Sequence, residues 1–154
     1  MKKSITDKYG QEYQVSLVKI SDHLYRMKIK QQKEYVGEAK FLLRMPDIMI
    51  LGDIQIRNDF DLPESVIEEI MQRGRKRCEH KNYRERGLGT ALLEEVITFG
   101  RQTGLKRIYG SAMKKDIIRT PHLLEWYGRH GFSRCDPYPN CIAGAEAWIC
   151  KELN

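Results

Sequence analysis

The residues best suited to bind an anion lie between positions 84 and 90, in the order Arg-Glu-Arg-Gly-Leu-Gly-Thr. Gly87 and Gly89 carry no side chains, so consecutive backbone N–H groups there can point at a single ligand. An amphipathic stretch follows at once, and a helix start adds unpaired N–H donors and the positive end of the helix dipole. The stretch is therefore a candidate diphosphate cradle. It lacks the Gly-Lys-Ser/Thr of a Walker loop and the third glycine of a dinucleotide fingerprint, and a glycine-rich start of an ordinary helix would look the same.

A second candidate group lies about 40 residues further on, in Tyr127-Gly128-Arg129-His130-Gly131-Phe132. The order places a tyrosine on the last turns of a helix, then the glycine that ends the helix, then an aromatic residue for the core. A phenol at the mouth of a site could donate a proton to a reacting group. Alternatively, Tyr127 is one more core aromatic.

Positive charge is concentrated just ahead of the cradle. The chain has 27 Lys and Arg against 21 Asp and Glu, a net charge of +6. Residues 73–86 contain seven basic and two acidic side chains, so this segment alone carries +5. Such a patch attracts phosphate, from a nucleotide cofactor or from nucleic acid, although a solvated basic helix end is also compatible with it.

Length and composition limit the protein class. The 154 residues fit one domain, 1–154, and the 41% hydrophobic and 31% charged residues are ordinary for a globular protein. No apolar run approaches the ~20 residues of a membrane span, and the basic residues at the start precede no apolar stretch typical of a signal peptide. We therefore expect a cytoplasmic protein without a membrane partner. No zinc spacing is formed by Cys78, His80, Cys135 and Cys141, so we expect free thiols and no metal.

Hydropathy periods predict the elements that position these residues. Near-alternation of apolar and polar residues, or a continuous apolar run, predicts four strands: Tyr13–Ile20, Leu24–Ile29, Tyr35–Leu43 and Ile48–Ile56. The last of these is the most apolar, which suggests a central strand covered on both faces. Gly52 inside it suggests a bulge or a close backbone approach.

The second half alternates helices and strands. Capping residues and helical spacing predict helices at Asp61–Gly74, Gly89–Arg101 and Thr120–Gly131, with strands at Arg107–Ala112 and Ala145–Lys151. The last helix is expected to begin at the Thr120-Pro121 pair. This order predicts an α+β (mixed α/β) domain with a central, mixed, mostly antiparallel sheet flanked by helices.

The two motifs together resemble the GNAT N-acetyltransferase superfamily. Its signature is Arg/Gln-x-x-Gly-x-Gly/Ala at a helix start, then a strand, then a helix bearing Tyr before Gly-Phe. The resemblance covers residues 48–132 and implies a single-domain GNAT-type fold with acetyl-CoA as co-substrate. It implies that the pyrophosphate loop contains Arg84, Arg86, Gly87, Leu88 (through its N–H), Gly89 and Thr90. It also implies that Tyr127 protonates or hydrogen-bonds the departing CoA thiolate, and that strand Ile48–Ile56 receives the acetyl-pantetheine arm at a splayed edge.

The sequence departs from the family pattern at three places. The helical pair between the first two strands is reduced to residues 19–23, residues 59–83 are a helical insertion before the loop, and Thr120 and Leu123 replace common Asn and Ala. The implied reaction is direct attack of an amine on the thioester, which requires loss of a proton from the amine. Asp53 is the first candidate base, as a carboxylate in an apolar strand that lies either at a site mouth or in local hydrogen bonds. Glu38 and His122 are alternatives. His80 and His130 are expected to be surface residues, and Trp126 to pack in the core or wall the pocket.

Other functions remain open on the sequence alone. The basic segment 73–86 could attract the phosphorylated CoA nucleotide, bind an acidic acceptor, or bind RNA or DNA. Tyr83 is its only aromatic residue, which is few for a nucleic-acid stacking surface. A GNAT fold that binds acyl-CoA without catalysis is a third reading of the motifs. The acceptor amine, whether a small molecule or a peptide, is not indicated, and a homodimer through an exposed late strand is compatible with the sequence.

Overall fold

One mixed sheet organises the part of the chain that the computed structural model describes, which is residues 2–44, 46–58, 82–139 and 144–153. Its strands are β1 (Lys2–Thr6), β2 (Glu12–Lys19), β3 (Leu24–Gln31), β4 (Glu34–Arg44), β5 (Ile48–Ile56), β6 (Arg107–Ala112), β7 (Ser133–Arg134) and β8 (Ala147–Glu152). They lie in the order β1-β2-β3-β4-β5-β6-β8-β7. Only β5 and β6 pair in parallel, so the predicted mixed, mostly antiparallel sheet is confirmed.

The first five strands form an antiparallel meander, and along most of these strands buried side chains tend to alternate with more exposed ones. In β3, for example, Met27 and Ile29 are buried while Lys28 between them is not. This is the two-residue period that predicted the strands, because successive side chains point to opposite sides of a sheet. The four predicted strands of this half are present, with boundaries within two residues of those expected.

Two expectations about these strands need correction. Lys2–Thr6 forms an edge strand, β1, paired with β2, which its polar sequence did not indicate. Strand β5 is central, but it is not covered on both faces along its length, since Gly52, Asp53 and Gln55 are exposed. The apolar run marks only the first half of β5. The second half extends beyond its pairing with β6 and is open to solvent.

Helix α1 (Leu88–Gln102) packs across the inner face of the sheet. Its buried residues recur at helical spacing: Leu88, Leu92, Leu93, Val96, Ile97 and Gly100. They meet the inner residues of β3 to β6 in one core that includes Phe41, Met49 and Ile108. Because α1 connects β5 to β6 across this face, the two strands can pair in parallel.

The predicted helix Thr120–Gly131 is wrong as a single helix. The chain forms two short helices instead, α2 (Lys114–Arg119) and α3 (Leu123–Arg129). Thr120 follows the end of α2 with extended backbone, φ −131° and ψ 85°. The residue before a proline is disfavoured in helical geometry, so Pro121 separates the two helices and α3 begins only after His122.

The segment between β5 and α1 begins and ends at residues that are bridged to each other. Asn58 and Asn82 form an antiparallel bridge, and the Tyr83 N–H donates to the Arg57 carbonyl over 2.9 Å. The predicted helix Asp61–Gly74, together with most of the insertion and of the basic segment, lies outside the described residues. Within the described ranges, the helices are too short or too polar to be candidate membrane spans.

Candidate functional site

The loop before α1 has the backbone of an anion cradle. Gly87 caps the helix in left-handed geometry, with φ 80° and ψ 8°, and no side chain caps α1 there. The first helical hydrogen bond runs from the Ala91 N–H to the Gly87 carbonyl over 3.0 Å. The N–H groups of Leu88, Gly89 and Thr90 precede that bond, and the first turn of α1 contains no acidic residue. A Cβ placed on Gly87 would have no atom within 4 Å, so the cradle opens onto free space.

Arg84 ties this loop to the end of β5. Its backbone N–H donates to Asn82 Oδ1 over 2.9 Å, and its Nε donates to the Ile56 carbonyl over 3.4 Å. Together with the bridge between Asn58 and Asn82, these contacts hold the loop beside the exposed half of β5. The insertion therefore does not separate the loop from the strand.

Arg86 lies in different surroundings. Its guanidinium is 3.6 Å from the carboxylate of Asp7 and stands over the rings of Tyr9 and Tyr83. The sequence pointed to phosphate as its partner, whereas its contacts in this structure are with the turn between β1 and β2.

The ends of β5 and β6 are not paired with each other, and the space between these ends is a candidate cleft. The two strands pair only from Ile48 with Arg107 to Leu51 with Gly110, although β5 continues to Ile56. At the divergence, Gly52 and Asp53 together face Lys40 of β4, where the register shifts. A Cβ on Gly52 would lie 3.2 Å from the Lys40 carbonyl oxygen. The predicted bulge at Gly52 is present, and it turns Asp53 outward at the open edge.

Helix α3 borders the same region through Trp126. The Trp126 Nε1 donates to Thr90 Oγ1 on α1 over 3.1 Å, and its ring would lie 3.8 Å from a Cβ on Gly89. Trp126 is therefore partly buried and also borders the loop, so the two expectations for it, core packing and a wall beside the site, are compatible.

Tyr127 packs beside Trp126 on the inner side of α3. Its ring centroid lies 4.8 Å from that of Trp126 and 5.4 Å from that of Phe132. Burial and the negative charges of Asp53 and Asp116 raise the pKa of the Tyr127 phenol to about 12. The phenol therefore stays protonated at neutral pH.

The candidate bases have distinct surroundings. Asp53 is exposed, and among the described residues its side chain accepts a weak hydrogen bond from Gln55 Nε2 over 3.5 Å. Glu38, on β4, forms an ion pair with Arg26 of β3, with 2.8 Å between Glu38 Oε2 and Arg26 Nε. His122 is exposed and lies 3.4 Å from Glu125. His130 stacks edge-on against Trp126 and is only partly exposed, while His80 lies outside the described residues.

Two carboxylates near the site were not anticipated from the sequence. Asp116 lies in the first turn of α2, a helix that was not predicted, and accepts the Met113 N–H over 3.3 Å. A carboxylate three residues after a helix cap is a known start signal, so this residue could have been found. Asp7 lies in a turn of the sequence Asp-Lys-Tyr-Gly, which is typical of a side chain that bonds its own turn.

Cysteines and metal ligands form no further site in the described ranges. Cys135 and Cys150 are free thiols, and no three His, Cys, Asp or Glu side chains cluster there. Cys78 and Cys141 lie outside those ranges.

Comparison of the sequence with protein families gives a match to the acetyltransferase (GNAT) family over residues 78–132. This range contains both the loop and the tyrosine helix. No curated protein matches the chain.

Solved structures give a broader match. The GNAT domain of S. lividans PAT superposes with a TM-score of 0.66 and 9% identity, covering 99% of this chain and 97% of that one. A GNAT acetyltransferase from Elizabethkingia anophelis, solved with acetyl-CoA bound, gives 0.57 and 15%, covering 85% of this chain and 77% of that one. The Escherichia coli ribosomal-protein-S18-alanine N-acetyltransferase gives 0.58 and 15%, covering 86% and 71%. At these identities the likeness is one of fold. The chain therefore has the GNAT fold, and its resemblance to the GNAT acetyltransferase family is confirmed.

Proposed function

We propose that the protein is an acyl-CoA-dependent N-acyltransferase that transfers an acetyl group from acetyl-CoA to a primary amine. One observation carries this proposal: the uncapped start of α1 and the cleft between β5 and β6 lie together, and Tyr127 lies on the helix bonded to that loop. The loop can bind a diphosphate, the cleft can accept an extended arm, and the phenol can supply a proton.

The residues present fit the pyrophosphate of acetyl-CoA. The N–H groups of Leu88, Gly89 and Thr90 are the donors, and Gly87 leaves the approach open. Arg84 adds positive charge beside them. Arg86 brings its charge to the same loop, while its guanidinium contacts Asp7.

Acetyl-CoA would supply a thioester, so attack by the amine forms a C–N bond and breaks a C–S bond. Tyr127 holds the proton that the departing sulfur needs, because its raised pKa keeps the phenol neutral. Asp53, on the bulge at the cleft mouth, accepts the proton of the incoming ammonium directly or through water. An amine that has lost this proton is the nucleophile, since an ammonium has no lone pair.

The first test is calorimetric titration with acetyl-CoA, using wild type, Gly87→Glu and Gly104→Glu. The two glycines are matched, since both have positive φ (80° and 78°) and open space at Cβ, but they lie at opposite ends of α1. We expect wild type to bind in the micromolar range and Gly87→Glu to bind more than about 100-fold more weakly, about 2.7 kcal/mol. Gly104→Glu should bind within about threefold of wild type. A folded wild type that does not bind acetyl-CoA would refute the proposal.

Turnover is tested separately, by release of free CoA thiol with a panel of peptide N-termini, lysine, polyamines and small amines. Thiol release that depends on one amine class identifies the acceptor. Binding without turnover on any amine would favour a binding module over an enzyme. Titration of an RNA oligonucleotide at two salt concentrations tests the nucleic-acid alternative, whose affinity should fall steeply with salt. Most of the basic segment on which it depends lies outside the described residues.

A further inference from the structure

Asp7 is a buried carboxylate at the turn between β1 and β2. The residue is only 7% exposed, and its carboxylate accepts three hydrogen bonds and forms one ion pair. The backbone N–H groups of Tyr9 and Gln11 donate over 2.9 and 3.0 Å, and the Tyr13 hydroxyl donates over 2.7 Å. The ion pair is with the guanidinium of Arg86, 3.6 Å away. Burial of a charged carboxylate strongly destabilises the folded protein unless the carboxylate is hydrogen-bonded and paired with a positive charge.

Arg86 links that turn to the loop by two separate contacts. Its guanidinium meets Asp7, and its carbonyl accepts the Lys8 N–H over 3.1 Å. The side chain also stands over the rings of Tyr9 and Tyr83, at 5.7 and 5.9 Å. Both the side chain and the backbone of the residue just before Gly87 are therefore fixed from outside the loop.

The fixed peptide determines where the loop donors point. Gly87 follows Arg86 directly and has a left-handed backbone that an unrestrained glycine would leave readily. If the Arg86 carbonyl shifts, the N–H groups of Leu88 and Gly89 shift with it. A loop held in its binding geometry loses less conformational entropy when a ligand binds.

We propose that Asp7 is a positioning residue for the pyrophosphate loop, and that Arg86 acts through Asp7 rather than as a direct phosphate ligand. The turn between β1 and β2 is then a clasp that holds the loop ready for its ligand. This inference rests on the proposed acyl-CoA binding.

The sign of the effect separates this role from general electrostatics. Asp7→Asn removes a negative charge and raises the net charge above +6. Simple attraction would then strengthen binding of the polyanionic acetyl-CoA. Positioning predicts the opposite, because the amide loses the ion pair with Arg86 and frees the loop.

The experiment is calorimetric titration with acetyl-CoA of wild type, Asp7→Asn and Glu12→Gln. Glu12 is the matched control: it lies on the same hairpin and carries the same charge, but it bonds Ser4 on the exposed side. We expect Asp7→Asn to weaken binding about tenfold and Glu12→Gln to leave it within twofold. Equal or tighter binding by Asp7→Asn would overturn the proposal.

A second ligand excludes a merely structural effect. S-acetylpantetheine has the thioester arm but no diphosphate, and its binding can be followed by NMR chemical-shift titration. Asp7→Asn should bind it as wild type does. An equal loss for both ligands would mean that the whole site, not the loop, is disturbed, and would overturn the proposal.

If Asp7→Asn does not fold, Tyr13→Phe remains informative, because it removes one hydrogen bond to Asp7 and keeps Arg86; it should weaken acetyl-CoA binding if Asp7 positions the loop, and unchanged binding would contradict the proposal. Arg86 completes a double-mutant cycle with Asp7. Arg86→Gln should weaken acetyl-CoA binding and spare S-acetylpantetheine, and the double variant Asp7→Asn/Arg86→Gln should be no weaker than Asp7→Asn alone. A further loss in the double variant would show that Arg86 contacts the phosphates itself. If wild type fails to bind acetyl-CoA, the proposed function fails; if wild type binds and the variants do likewise, only the clasp fails.

Discussion

At the scale of single residues, the loop contains a side chain that opposes the proposed ligand. Glu85 is exposed, has a left-handed backbone with φ 62°, and lies two residues before Gly87. A non-glycine residue there costs about 1 kcal/mol in strain. Its negative charge also repels a diphosphate at the start of α1. We therefore expect Glu85 to lower both the stability of the protein and its affinity for the proposed ligand, by two independent causes.

These causes can be separated with three variants. Glu85→Gly should raise the free energy of unfolding by about 0.5–1 kcal/mol and tighten acetyl-CoA binding about threefold. Glu85→Gln should give the gain in affinity without the gain in stability. Gln32→Gly is the matched control, since Gln32 also has a left-handed backbone, with φ 55°, but lies in the turn between β3 and β4.

The measurements are chemical denaturation and calorimetry. Gln32→Gly should show the gain in stability with unchanged affinity. If Glu85→Gly gains no stability, the left-handed backbone is not strained; if neither Glu85 variant binds more tightly, the side chain does not face the ligand.

Tyr127→Phe tests the proposed acid. Loss of the hydroxyl should lower kcat about 100-fold, while the acetyl-CoA affinity stays within about threefold because the ring packing is retained. Since the pKa of Tyr127 is raised to about 12, wild type should show no loss of kcat from this group between pH 6 and about 10. Steady-state kinetics across that range check both statements. An unchanged kcat in Tyr127→Phe would remove the phenol from the mechanism.

At the scale of elements, the two ends of the insertion lie next to each other at the end of β5. Because Asn58 and Asn82 bridge, the polypeptide reaches the loop from the same point at which it left the sheet. The bridge and the contact between Arg84 and the Ile56 carbonyl hold both ends of this segment beside β5.

Replacing residues 59–81 by Asn-Gly should therefore preserve acetyl-CoA binding within about threefold. The pair favours a two-residue hairpin turn, and closing a shorter loop adds about 2 kcal/mol of stability. A Gly-Ser segment of the original length is the control, since it keeps the loop entropy and removes the sequence. Calorimetry and denaturation measure both effects. Loss of binding in the two variants alike would show that the insertion itself contacts the cofactor.

At the scale of the whole molecule, the first strand and the loop are joined through Asp7, and this makes stability depend on pH. Burial would raise the pKa of Asp7, but hydrogen bonds from Tyr13 and from the backbone, together with Arg86, lower it below the ordinary value. A lowered folded-state pKa stabilises the protein at pH values above the ordinary carboxyl range. That stabilisation is lost as the pH falls through the folded-state pKa.

The free energy of unfolding should therefore fall less steeply with decreasing pH in Asp7→Asn than in wild type. The variant should be less stable than wild type near pH 7, and the difference should shrink as the pH falls below about 4, where the carboxyl of the unfolded wild-type chain begins to bind a proton that the folded chain does not yet bind. Urea titrations at several pH values measure it. Glu12→Gln provides the control again, and a difference that stays constant with pH would contradict the assignment.

The sequence by itself determined the local features of this protein. Alternation placed β2 to β4, a continuous apolar run placed β5, and helical spacing placed α1. Two glycines ahead of that helix indicated a candidate anion cradle. These features are set by interactions between residues that are close in the chain, so their patterns can be recognised in the amino-acid sequence. The same logic failed where the pattern was weak, at polar β1, and where Pro121 divided one predicted helix into two.

Only the tertiary structure decided how these pieces meet. The divergence of β5 from β6, the approach of Trp126 to Thr90 and the pairing of Asp7 with Arg86 join residues up to 79 positions apart. Such contacts depend on the crossing of strands and helices over one core, and no local pattern encodes them. Arg86 shows the consequence: its position in the motif suggested phosphate, and the fold gave it a buried carboxylate as partner.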